Sequence, residues 1–193
     1  MRLIAATQNK HKLKEIQAIA EKMGMHLLST ADLGYDHLEI EETGSTFEEN
    51  SLIKAKAVCE ITGEAAVADD TGLCIDALDG APGVFSARFA GDEHDDEANI
   101  AKVLELMKDV PFEKRTAMFV CVITICYPDG RVVVSRGECH GKITTEKIGT
   151  EGFGYDSIFV PDGYDKTFGQ LGEDLKNVIG HRAKAVLQLE KLI

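Results

Sequence analysis

The sequence predicts a mixed α/β fold, with helices flanking a long central mixed β-sheet. Three observations carry that expectation. The chain opens with a strand, a loop and an amphipathic helix, the parallel type of connection. Two long apolar runs later flank the turn Pro128-Asp129-Gly130, which is the hairpin type. Apolar residues make up 44% and charged residues 28% of 193 positions, enough for one continuous core and one domain over 1–193.

Taken in order, Arg2 to Ala6 reads as the first strand. Lys10 to Met23 reads as a helix, with Leu13, Ile16, Ile19, Ala20 and Met23 at helical spacing and Gly24 as its stop. Thr46-Phe47-Glu48-Glu49 has the Thr-x-x-Glu form of a capping box, and Leu52, Ala55 and Cys59 continue that helix to about Ile61. Ala65 to Ala68 reads as a short buried strand that delivers Asp69-Asp70 at its C-terminal end, a favoured place for ligands. Asp96 to Met107 is expected to be helical, and Arg115 to Tyr127 pairs with Arg131 to Cys139 as the hairpin. After the glycine-rich stretch 149–154 come a short strand, Ser157 to Val160, and a final helix from about His181 to Leu192.

The formal charge of −12, from 21 basic and 33 acidic residues, repels nucleic-acid polymers and anionic membranes alike. A small anionic substrate is compatible with it where local lysines, a helix N-terminus and a divalent cation reverse the field at one compact site. Five cysteines without a CxxC pair argue against a disulfide framework and for reduced thiols in the cytoplasm. The first residues lack the apolar run of a signal peptide. The uncharged run 117–127 falls short of the about 20 residues that span a bilayer.

Four segments are candidates for chemistry. Thr7-Gln8-Asn9-Lys10-His11-Lys12 lies where strand one meets helix one, so free backbone N–H groups and two lysines would attract phosphate; a plain polar helix start looks the same. Glu39, Glu41, Glu42, Asp69 and Asp70 offer hard oxygen ligands for magnesium, or form a solvated acidic loop and a turn. Gly152-Phe153-Gly154-Tyr155-Asp156 lets backbone and aromatic faces approach a planar base, or packs as a core turn. Lys176-Asn177 with Gly180-His181-Arg182 gathers donors near the last helix, or is surface basicity.

In sequence order these segments resemble the inosine triphosphate pyrophosphatase family. The resemblance rests on Thr7-x-Asn9-x-x-Lys12-x-x-Glu15, then Glu41-Glu42-Thr43-Gly44 with Thr46-Phe47 and Glu49-Asn50, then Ala68-Asp69-Asp70-Thr71-Gly72-Leu73. It continues through Gly80-Ala81-Pro82-Gly83-Val84 with Ser86-Ala87-Arg88, and through Gly152 to Asp156, to Lys176-Asn177 and His181-Arg182, covering residues 7 to 183. It implies two lobes with an active-site cleft between them, a homodimer, and Mg2+-dependent cleavage of non-standard purine triphosphates (ITP, dITP, XTP) to monophosphate and pyrophosphate. Thr7 to Lys12 would cradle the triphosphate, Glu41 and Asp70 would hold Mg2+, Asp70 would act on the attacking water, and Thr71 would touch substrate. Phe153 would stack on the purine, Gly154, Tyr155 and Asp156 would shape the pocket, and Lys176, His181 and Arg182 would contact base or phosphates. His181 and Arg182 would satisfy the O6 acceptor of inosine and xanthosine, which adenine replaces with a donor.

Gln8, Gln170 and Gly180 depart from the family's usual small residue, Glu and Ser, and Lys147-Ile148 stands where Pro-Arg is usual before Gly149. These changes bear on preference and rate more than on reaction type. A pyrophosphatase for modified pyrimidine or methylated nucleotides, or a catalytically silent nucleotide binder, would share the fold.

Overall fold

The computed structural model describes residues 2–22, 24, 26–35, 37–91 and 94–193. Its strands are β1 (Arg2–Ala5), β2 (His26–Ser29), β3 (Ala66–Ile75), β4 (Thr116–Cys126), β5 (Val132–Ile143) and β6 (Phe159–Pro161). They form a six-stranded sheet in the order β2-β1-β3-β4-β5-β6. β1 pairs parallel with β2 and with β3, whereas β5 and β6 are antiparallel, so the sheet is mixed as expected. The helices are α1 (Lys10–Lys22), α2 (Phe47–Thr62), α3 (Asp96–Leu106), α4 (Phe168–Leu171), α5 (Glu173–Ile179) and α6 (His181–Leu189).

Several expectations change: β5 runs to Ile143, four residues past Cys139, and the short strand is Phe159–Pro161, with Asp156–Ile158 forming a 3-10 turn before it. β3 does not stop at Ala68: it runs ten residues, so Asp69 and Asp70 lie mid-strand. The β1 pairing reaches only Val67, and the neighbour of β3 on its other side is β4, eleven residues long. The last helix ends at Leu189, three residues short of Leu192. β2, α4 and α5 are additional elements. The expected helical position Met23 lies outside the described residues.

The chain divides into two compact units. The first comprises residues through Asp70, Cys121–Gly137 and Arg182–Ile193; the second comprises Thr71–Val120 and Glu138–His181. In the first, strand alternation sends Leu3, Ala5 and Val67 to one apolar cluster with Ala183, Val186 and Leu189 of α6. Ile4, Ala6, Ala66 and Ala68 go to the opposite cluster with Ala55, Val58 and Cys59 of α2. A buried hydroxyl pair, Ser51 Oγ and Thr124 Oγ1 at 2.7 Å, fixes α2 on β4.

The cap of α2 is the one its sequence predicts: Thr46 Oγ1 accepts from Glu49 N at 3.1 Å, and Glu49 Oε2 accepts from Ser45 N at 2.6 Å and Thr46 N at 3.2 Å. Thr46→Ala is expected to cost about 1 kcal/mol of stability. Urea denaturation checks this, and an unchanged midpoint would deny the cap its contribution.

In the second unit the core joins Leu73, Ile75, Val103, Met107, Phe119, Ile143, Phe159 and Phe168, with Phe119 and Phe159 centroids 4.6 Å apart. Arg115, 1% exposed, donates to the carbonyls of Met107 at 2.5 Å, Thr144 at 2.7 Å and Ile143 at 2.9 Å, tying the end of α3 to the end of β5. All five cysteines are free. No helix among the described residues is long and apolar enough to cross a membrane.

Candidate active site

In the first unit, Asp69 and Asp70 extend past the end of β1, and as neighbours on a strand they face opposite ways. Asp69 takes Arg182 Nη2 at 3.0 Å and Lys12 Nζ at 3.3 Å. Arg182 is also bonded to Glu15, which stands three residues after Lys12 on the same side of α1. Asp70 looks instead to α2, where Lys54 Nζ lies 3.7 Å from its Oδ1 and 2.5 Å from Glu42 Oε1. All of these groups except Lys12 and Glu42 are at least nine-tenths buried.

Burial opposes ionisation of Asp69, but Lys12, Arg182 and Lys54 outweigh it and hold the carboxyl well below the usual range. Asp70 goes the other way: burial outweighs Lys54 and Lys12, Glu42 and Asp69 add to it, and the carboxyl is pushed up. Two adjacent acids are thereby separated into a fixed anion and a proton-accepting group. That division suits one structural and one reactive carboxylate.

The expected site residues are placed as follows in the first unit. Asn9 Oδ1 accepts from His11 N at 3.0 Å and Lys12 N at 3.1 Å, and Thr7 Oγ1 accepts from Asn9 N at 3.2 Å. These helix N–H groups are therefore already engaged by the N-cap, asparagine's preferred task, and attraction for phosphate falls to the lysines and the helix end. Lys10 and His11 are exposed at that end. Gln8 is exposed too, and its Nε2 donates to Leu38 O at 2.7 Å, so the departure at this position ties the loop to the segment leading to Glu42.

Glu41 is exposed while Glu42 turns inward to Lys54; consecutive residues of an extended segment face opposite sides, and the carboxylate brought toward Asp70 is Glu42. Arg182 is 2% exposed and bonded to Asp69 and Glu15, which makes it a partner of the acidic centre. Glu42 belongs to the acidic candidates of the sequence and Glu15 to its first motif, whereas Lys54 is not among the candidates. The signal for Lys54 was a lysine beside Ser51, Ala55 and Val58 on the buried side of α2.

The second unit holds the aromatic candidates. Asp156 Oδ2 accepts from Phe153 N at 3.0 Å and from Lys176 Nζ at 2.8 Å, and the same ammonium sits 4.3 Å from the centroid of the half-buried Phe153 ring. This turn needs Gly152, with φ +76°, because a Cβ there would meet Asp156 Oδ2 at 2.2 Å. Gly154 N donates to Asp96 Oδ2 at 2.9 Å. Tyr155 is buried, with its hydroxyl donating to Ser86 O at 2.7 Å and its pKa raised by burial and by Asp96, so it braces this segment.

His181 is buried and stacked on Phe119 with centroids 4.7 Å apart. Thr71 is half-buried on β3. Gln170 Oε1 accepts from Thr167 N at 3.0 Å, doing for α4 what a glutamate would. At Gly180 a Cβ would meet Lys176 O at 2.5 Å, so the usual serine does not fit this end of α5.

The structure is a mixed α/β sheet that carries buried carboxylates, lysines and an arginine past a parallel strand end. The Ham1 family model matches residues 3–192. The chain is 50% identical over 189 residues to a dITP/XTP pyrophosphatase of Halalkalibacterium halodurans, covering 97% of this chain and 96% of the relative. It is 48% identical over 189 residues to the dITP/XTP pyrophosphatase of Geobacter sulfurreducens, covering 98% and 94%. The solved structure of a HAM1 protein from Coxiella burnetii superposes with a TM-score of 0.89 at 38% identity, covering 100% of this chain and 98% of that one. The chain belongs to the Ham1 family.

Proposed function

We propose that this protein hydrolyses non-standard purine nucleoside triphosphates (ITP, dITP and XTP) to the monophosphate and pyrophosphate. The observation that carries the reading is the split acidic centre of the first unit, with Asp69 locked to Arg182 and Asp70 facing Lys54 and Glu42. It is joined by full-length similarity to proteins of that activity. Asp70 accepts the proton of the attacking water. Lys12, at the start of α1, and Lys54 offset negative charge on the phosphates.

The donor set fits a divalent cation. Glu42 and Asp70 converge on one point that the Lys54 ammonium marks, and Mg2+ needs only one or two such carboxylates beside substrate and water. Glu42 and Asp70 would hold Mg2+, which when bound would neutralise charge on the departing pyrophosphate. The Phe153 face is assigned to the purine, with Lys176, His181 and Arg182 as the donors for base or phosphates, and adenine, which presents a donor where inosine has O6, is disfavoured. A second copy of the chain is the expected protein partner and the cytoplasm the expected compartment.

Pyrophosphate release from ITP, XTP, GTP and ATP with and without Mg2+ tests the reading. Release that depends on Mg2+ and favours ITP and XTP supports it, and binding of ITP with no release in any condition overturns it. Phe153→Ala is expected to lose about 1–3 kcal/mol of base binding. That loss should show as a raised KM for ITP with a smaller change in kcat, and an unaltered KM would remove Phe153 from the base site.

A further inference from the structure

We propose that Asn50 is a positioning residue for the metal-binding carboxylate, acting through the backbone that presents Glu42. Asn50 is wholly buried on α2, and its Oδ1 accepts from Gly44 N at 2.8 Å. One helical turn further along the same side, Lys54 Nζ holds Glu42 Oε1 at 2.5 Å. The two side chains grip residues 42–44 at both ends, one at the backbone and one at the carboxylate. Their helix is itself fixed on β4 by the Ser51–Thr124 hydroxyl pair, so the grip is referred to the sheet that carries Asp70.

The joint is close-fitting. A Cβ at Gly44 would stand 2.6 Å from Asn50 Oδ1, 2.6 Å from Glu49 Cβ and 3.0 Å from Asn50 N, so glycine is required here by approach of the helix and not by backbone angle. Gly44 N is a donor, which fixes the carboxamide with Oδ1 toward it and leaves Nδ2 pointing elsewhere. Nδ2 is buried and makes no hydrogen bond among the described residues. Groups that orient a metal ligand without touching the metal commonly change its affinity by about 10–100-fold when removed.

The inference rests on the reading of Glu42 and Asp70 as cation ligands. Its test is a titration of Mn2+ in the presence of pyrophosphate, with free Mn2+ read by electron paramagnetic resonance, alongside kcat for ITP at saturating metal. Asn50→Ala is expected to raise half-saturating Mn2+ by about tenfold or more, with kcat at saturation within about threefold. Asn50→Asp keeps the acceptor for Gly44 N and is expected to stay within about threefold of the unsubstituted protein in Mn2+ affinity. Gly44→Ala, which pushes the joint apart from the other side, should reproduce the rise and covers the case in which Asn50→Ala does not fold.

Unchanged Mn2+ affinity in Asn50→Ala or in folded Gly44→Ala overturns the proposal, as does an Asn50→Asp protein as weak as Asn50→Ala. So does an unsubstituted protein that binds no Mn2+. An unsubstituted protein that binds Mn2+ but releases no pyrophosphate from any purine triphosphate instead defeats the functional reading, and leaves the Asn50 comparison standing on affinity alone.

Discussion

Asp70→Asn is expected to slow pyrophosphate release from ITP by about 10²–10⁴-fold, the range over which a positioned base contributes. The carboxamide keeps the side chain's size and removes its capacity to take a proton, so the fold should persist and the thermal midpoint should hold or rise. Asp70 is a buried carboxylate whose ionised form is disfavoured by burial, with Glu42 and Asp69 adding to the effect, and a neutral replacement relieves that conflict. Steady-state kinetics with a thermal melt of both proteins decides the matter. A variant retaining more than about a tenth of the rate would pass the base role to another group.

Arg182→Met carries the largest stability effect. It leaves Glu15 and Asp69, both more than nine-tenths buried, without the guanidinium that joins them. Removing one partner of such a buried network costs about 3–5 kcal/mol. The pH dependence has a definite sign. Asp69 has a folded pKa below its unfolded value, so its stabilisation is present above the unfolded value, about 4, and is lost as pH falls through the lower folded value. In Arg182→Met that depression is weakened, so the deficit is greatest near neutral pH and narrows as pH approaches 4 and Asp69 takes up a proton. Urea midpoints at about pH 5 and about pH 3 measure it, and a deficit that stays flat or grows as pH falls through about 4 refutes the coupling.

What the sequence disclosed was local. The Thr46–Glu49 capping box spans four residues and forms as read, and β1, α2 and α3 fall within a residue or two of expectation because caps and apolar period lie within each segment. Family membership was legible from motif order, which needs no geometry. Pairing across the chain was not legible. Arg182 meets Asp69 over 113 residues, and no local signal distinguishes a guanidinium that reads a base from one that neutralises an acid. Which of Glu41 and Glu42 turns inward depends on the phase of an extended segment lacking regular structure, so one residue's difference could not be read. β3 was shortened for the opposite reason: the local pair Thr71-Gly72 suggested a break, and the strand runs through it.

Gly180 carries an evolutionary consequence. Its missing side chain leaves room for the carbonyl of Lys176, whose ammonium sits over Phe153. A serine introduced there alone would have to displace that carbonyl and with it the lysine. Exchange at position 180 is therefore contingent on how α5 ends, and a lineage crossing between glycine and serine must adjust the helix first or pass through an intermediate with a displaced Lys176.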